Sequence, residues 1–123
     1  MRSGLARFCW TLTAVYWLAL FCGTHIPAPQ LPPIRVNDKT IHFVGYGLLA
    51  GAILVSLKAS GRLRTSSGVT VLAILLAYGA VDEWTQALPF INRSCDIADW
   101  HADAAGTATA VVLGSWILRK RET

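Results

Sequence analysis

Charge is scarce in this chain. Asp, Glu, Lys and Arg supply 15% of its 123 residues, against about 25% in soluble domains, and the mean hydropathy is +0.46. A small soluble domain has a high surface-to-volume ratio and cannot hide that much apolar side chain. Internal repeats and low-complexity segments are missing, and no serine or cysteine nucleophile motif is present. Cysteine is sparse, with Cys9, Cys22 and Cys95 only. Cys9 and Cys22 would lie about 20 Å apart on one helix, beyond the roughly 7 Å limit for bridging. Cys22 and Cys95 would both fall near the outer surface, which leaves a disulfide open beside free or buried thiols.

What is present is apolar sequence in four blocks, at about 8–26, 41–57, 69–88 and 102–118. Each is about long enough to cross a bilayer core of roughly 30 Å, the second and fourth by borrowing a turn from their polar ends. Only helices satisfy their own backbone groups in lipid when each span stands alone. Four spans use most of the chain, which excludes an appended soluble domain, a Rossmann unit or a TIM barrel. The fold class expected is all-α: a single integral membrane domain over 1–123, a bundle of four transmembrane helices. The first block is read as a retained span, because bulky Trp17, Leu18, Leu20 and Phe21 crowd the place where a signal peptide would be cleaved.

The basic residues orient the bundle. Arg2 and Arg7, then Lys58, Arg62 and Arg64, then Arg119, Lys120 and Arg121 fall on one side; Arg35, Lys39 and Arg93 fall on the other. The positive-inside rule puts both termini in the cytoplasm of a multi-pass cell-membrane protein. Topology thus explains the net charge of +4, and nucleic acid is not an expected partner, since the cations are spread over three segments rather than one face. Pro27, Pro29, Pro32 and Pro33 predict a stiff, extended crossing between the first two spans. Gly61, Ser66, Ser67 and Gly68 predict a plain turn between the second and third.

The acids sort to the other end. Of seven, only Glu122 falls on the cytoplasmic side; Asp38, Asp82, Glu83, Asp96, Asp99 and Asp103 map to the outer half, with His25, His42, His101 and Gln86. Asp38, His42 and Tyr46 are four apart, as are Asp82 and Gln86, and Asp99 and Asp103, so each set shares a helix face. Three polar stripes at one depth suggest a shared cavity. Simpler roles stand beside that reading: helix capping for Asp38 and Asp99, an interfacial position for His42, packing for Tyr46. Asp82 and Glu83 sit at a helix C-terminus, which the dipole disfavours, and about 9 Å below Leu88. A charge at that depth costs on the order of 2.5 kcal/mol or more and marks a functional site unless it is bridged. Arg93, Lys39 and His42 are the candidate partners.

Small residues recur at helix-packing spacing: Gly47 and Gly51, then Gly106, Ala110 and Gly114. They join helices within one chain or between copies, so a homo-oligomer is open. Trp10, Trp84, Trp100 and Trp116 are placed as interfacial anchors.

Taken in order, Asp38-Lys39-x-x-His42-Phe43-x-x-Tyr46-x-Leu48, Asp82-Glu83-x-x-Gln86, Arg93 and Asp99-x-x-x-Asp103-x-x-Gly106, with Leu31-Pro32 ahead of them, resemble the VanZ-like family over about residues 24–114. The resemblance implies a small multi-span membrane protein. It also implies an association with low-level resistance to teicoplanin through the family's namesake, whose biochemical activity is not established. Carried over, the motif residues are Asp38, Lys39, His42, Tyr46, Asp82, Glu83, Gln86, Arg93, Asp99 and Gly106. Asp103 stands where many members have Asn, and Ala110 where glycine is common.

The expected function is an envelope protein whose outward-facing site, formed by Asp38, Lys39, His42, Tyr46, Asp82, Glu83, Gln86, Arg93, Asp99 and Asp103, binds a lipid or lipid-linked precursor head group or lowers glycopeptide sensitivity. Lys39 and Arg93 would hold phosphate or carboxylate. The alternative is an intramembrane enzyme with His42, paired with Asp38, or Glu83 as acid–base groups. A transporter would require an oligomer. No metal or cofactor is expected: a metal-dependent version would use His42, His101, Asp99 and Asp103, but Asp99, His101 and Asp103 are not a recognised ligand spacing, and His101 points off the Asp99–Asp103 face.

Overall fold

The computed structural model describes residues 2–27, 33 and 37–120. Most of the proline-rich crossing, with Leu31, Pro32 and Arg35, lies outside the described residues, as do Arg121 and Glu122. Among the described residues the chain is all-helical: α1 (Arg2–Thr24), α2 (Asp38–Ala59), α3 (Ser67–Gln86) and α4 (Ile97–Lys120). Stretches of three of these, Ser3–Thr24, Asp38–Ala59 and Ser67–Gln86, are long and apolar enough to cross a membrane. Large apolar side chains, among them Phe8, Leu18, Leu48, Val81, Val112 and Ile117, are exposed around the bundle. So wide an apolar belt is unfavourable in water and favourable in lipid.

At the polar end of the bundle α2 and α4 start before their apolar blocks, and α1 and α3 stop short of theirs. α2 begins at Asp38 rather than 41 and α4 at Ile97 rather than 102, while α1 ends at Thr24 rather than 26 and α3 at Gln86 rather than 88. Hydropathy locates the lipid-facing stretch, but caps decide where a helix starts and stops. Asn37 caps α2, its side chain accepting the Lys39 N–H at 2.9 Å. Asp96 does the same for α4, accepting the Ala98 N–H at 2.8 Å. The caps are therefore Asn37 and Asp96, not Asp38 and Asp99; the Asp99 carboxylate faces Lys39 and His42 of α2, and Asp38 stays half exposed beside His42 on its own helix. Asn37→Ala is expected to cost about 1 kcal/mol, read as a lower thermal midpoint in detergent. α2 closes with Gly61 at φ 67°, its N–H donating to Lys58 O and the Arg62 N–H to Leu57 O, a left-handed stop that suits glycine.

α2 is the centre of the bundle, packed most extensively on α4 and next on α1, while α3 lies mainly against α4. The apolar core is Tyr46, Leu49, Ala50, Ile53 and Leu54 of α2 with Val71 and Leu75 of α3. Tyr78 stacks on Tyr46 with ring centroids 5.8 Å apart and meets Trp17 edge-on at 5.2 Å. α1 is tied in by hydrogen bonds from Thr13 Oγ1 to Ala52 O and from the Tyr16 hydroxyl to Gly45 O, besides a Thr13–Ser56 hydroxyl pair.

The closest approach is between α2 and α4. A Cβ on Gly106 would run into the Phe43 carbonyl, and one on Gly47 would sit 3.3 Å from Gly106 O. Gly51, read from spacing as part of the same motif, has open space around it. Gly51→Ala is therefore expected to be neutral or to stabilise by up to about 1 kcal/mol. Of the tryptophans, Trp84 and Trp116 are exposed near helix ends. Trp100 is not a simple anchor: its indole N–H donates to Leu76 O of α3 at 3.0 Å. Cys9, Cys22 and Cys95 are free thiols, so the Cys22–Cys95 disulfide is not formed.

Candidate functional site

The up–down order of the helices brings the end of α1, the start of α2, the end of α3 and the start of α4 together at one end of the bundle. Asp82, Glu83, Gln86 and Asp103 are there, each 3% exposed or less, with His42 and Asp99 also buried. The three stripes read from spacing do converge. The Asp38–His42–Tyr46 stripe runs inward, from Asp38 with its side chain 53% exposed to Tyr46 in the core.

His42 is the hub. Its Nδ1 lies 2.9 Å from Asp103 Oδ1 and 3.8 Å from Glu83 Oε1. Its Nε2 faces Asp99 Oδ2 at 3.8 Å and Asp38 Oδ2 at 3.9 Å. The imidazole thus stands between a buried carboxylate pair and an outer one. The second Asp103 oxygen, Oδ2, is buried without a hydrogen-bond partner among the described residues, as is Thr107 Oγ1 one turn further along α4.

Asp82 accepts the Thr24 hydroxyl on Oδ1 at 3.0 Å, and the Tyr46 hydroxyl and the Gln86 amide on Oδ2, both at 3.3 Å. His25 Nδ1 stands 3.6 Å from Asp82 Oδ1, and its Nε2 meets the Thr85 hydroxyl at 2.8 Å. Glu83 Oε2 accepts the Asp96 N–H at 3.1 Å, and Oε1 faces the Gln86 amide at 3.4 Å. The start of α4 thereby offsets the unfavourable dipole of α3 at Glu83. Beside Glu83 a groove of about 520 Å³ opens between α3 and α4, lined by Ala80, Cys95, Asp96, Ile97 and Trp100.

The cations take other partners than expected. Lys39 Nζ binds Asp99 at 2.9 Å and Asp96 at 3.2 Å. The Ala98 N–H, and then the Lys39 ammonium, hold the Asp96 carboxyl below its ordinary range. Arg93 reaches neither Asp82 nor Glu83. Asn92, at φ 53°, turns the chain, and Arg93 Nη1 donates to the Thr24 carbonyl at 2.6 Å, satisfying a group that the end of α1 leaves unpaired. His101 is exposed on α4 and belongs to neither group of metal-compatible side chains around His42.

Thr24, His25 and Thr85 are the site residues that spacing missed. Thr24 and His25 end a helix with no polar stripe of its own, so periodicity gave no sign of them; their position at the depth of the acid cluster is the usable signal.

Comparisons with family models, curated proteins and solved structures give no match for the chain. The VanZ-like resemblance thus rests on the motif residues alone, and function is argued from the site.

Proposed function

We propose that the chain is a four-span cell-membrane protein with both termini cytoplasmic. Its outward-facing acid–imidazole site binds the head group of a membrane lipid or of a lipid-linked envelope precursor. The observation that carries this reading is the groove beside Glu83, apolar along Ala80, Ile97 and Trp100 and acidic where Glu83 and Asp96 meet it. An acyl or prenyl chain suits the first part and a polar head the second. α4 serves as the fourth span, with Asp99 and Asp103 turned into the bundle. Arg7, Lys58, Arg62, Arg64 and Arg119 collect at the opposite end, as a cytoplasmic face requires.

The partners of Lys39 and Arg93 refine the chemistry of the ligand. Both are engaged within the protein, so the phosphate clamp expected of them gives way to carboxylates that accept from ammonium or hydroxyl groups. Aminated lipids, amino-sugar precursors and amphiphilic glycopeptides of the teicoplanin type all carry such donors. The VanZ-like motif order adds lowered glycopeptide sensitivity as the expected phenotype.

The test is native mass spectrometry of protein released from nanodiscs. Wild type is expected to retain a lipid or precursor adduct that Glu83→Gln loses. No adduct in either protein, with unchanged glycopeptide sensitivity on deletion and on overexpression, would overturn the reading.

A second reading is favoured by the position of His42 between two carboxylate pairs: an enzyme acting on a lipid-linked head group. In it, Asp103 orients the imidazole through Nδ1 and leaves Nε2 to take a proton. His42→Ala retaining full cellular activity would exclude it.

A further inference from the structure

Four buried carboxylates, Asp82, Glu83, Asp99 and Asp103, share one end of the bundle. Among the described residues, the only ammonium or guanidinium in contact with any of them is Lys39, which binds Asp99 and divides itself with Asp96. Asp82 is surrounded by hydroxyl, amide and imidazole groups. Glu83 and Asp103 share a single imidazole, His42. Buried carboxylates with so little opposing charge are costly in a membrane.

We propose that His42, Glu83 and Asp103 bind a divalent first-row transition cation. One donor atom from each of the three buried side chains lies within 4.8 Å of the others. Ligands at about 2.1 Å from one cation stand roughly 3 to 3.5 Å apart. The Nδ1 to Asp103 separation of 2.9 Å is already of that size, and the 3.8 Å to Glu83 Oε1 closes by a small rotation of the Glu83 side chain. A second observation is Asp103 Oδ2, a buried carboxylate oxygen with no hydrogen-bond partner among the described residues and so with lone pairs free for a cation. Gly79 leaves that oxygen its room, since a Cβ there would sit 3.3 Å from it.

One imidazole and two carboxylates, with no thiolate, suit Zn²⁺, Mn²⁺ or Fe²⁺ better than Mg²⁺ or Ca²⁺. Binding replaces the proton shared between Nδ1 and Asp103 Oδ1, so cation uptake releases a proton. Asp38 and Asp99 flank Nε2 on the exposed side and form an acidic mouth through which a cation arrives. Asp99 is already neutralised by Lys39, which makes the inner triad the stronger site.

Cation binding goes beyond the head-group reading and does not depend on it. The experiment uses delipidated, chelator-stripped protein in detergent, titrated with Zn²⁺ and, for its visible absorption, Co²⁺. Wild type is expected to bind one equivalent, to show ligand-field bands of a nitrogen–oxygen site, and to melt at a higher temperature with Zn²⁺. Asp103→Asn and His42→Gln are expected to weaken binding by about tenfold or more, while His101→Ala, which removes an exposed imidazole, binds as wild type. If His42→Gln does not fold, the isosteric Asp103→Asn carries the comparison alone. Absence of a Zn²⁺ equivalent in wild type, or its equal retention by Asp103→Asn, overturns the proposal. Loss of the lipid adduct with Zn²⁺ retained would fell only the head-group reading; a lipid adduct without Zn²⁺ binding would fell only this one.

Discussion

Gly106→Ala is expected to destabilise the bundle by about 3 kcal/mol, the upper part of the usual range for overpacking. The added methyl meets the Phe43 carbonyl, and a backbone oxygen cannot rotate away as a side-chain tip can. Relief requires α4 to move off α2 along their closest approach. The same movement pulls apart His42, next to Phe43, and Asp103, one turn before Gly106, which are 2.9 Å apart. Stability and ligand binding should therefore fall together. SDS titration in mixed micelles, followed by tryptophan fluorescence, reads the first, with Gly51→Ala as the control that leaves both intact. A loss below about 1 kcal/mol in Gly106→Ala would mean that α2 and α4 do not approach this closely.

His42→Ala is expected to cost about 3 kcal/mol, because a buried carboxylate left without its donor costs about 1–3 kcal/mol and the lost ring leaves a cavity. Asp103 loses its 2.9 Å contact and Glu83 its nearest imidazole; Glu83 keeps the Asp96 N–H and the Gln86 amide, so the loss falls mainly on Asp103. His42→Gln, which keeps an amide donor, should recover part of the loss. The companion variant Asp38→Asn removes a carboxylate that is half in solvent and 3.9 Å from the ring, and should change stability by no more than about 1 kcal/mol. Equal losses in His42→Ala and Asp38→Asn would contradict the inward-running stripe.

Much of this site was legible in the sequence, for a definite reason. Residues four apart on a helix must share a face, so Asp38, His42 and Tyr46, or Asp99 and Asp103, needed no structure to be grouped. Which partner each acid takes was not legible, because that depends on the rotation and depth of one helix against another. Asp103, read as an extra charge beside the motif, proves to be the nearest carboxylate to His42. Arg93, read as a counter-ion, is carried by the turn at Asn92 to the end of α1 instead. The caps were misplaced by one residue at Asn37 and three at Asp96, since an apolar block marks burial in lipid and not the first helical N–H. Gly47 and Gly106 were correctly read as close-packing positions, whereas Gly51 fits the same spacing and faces open space.

The proposed head-group function requires the acid–imidazole end to face outward. Cys95 lies exposed beside Glu83, so in a chain carrying Cys9→Ser and Cys22→Ser it reports on that end alone. Right-side-out membrane vesicles treated with a membrane-impermeant thiol reagent are predicted to label Cys95 fully before permeabilisation. Labelling only after permeabilisation would place the acid cluster in the cytoplasm and contradict the account.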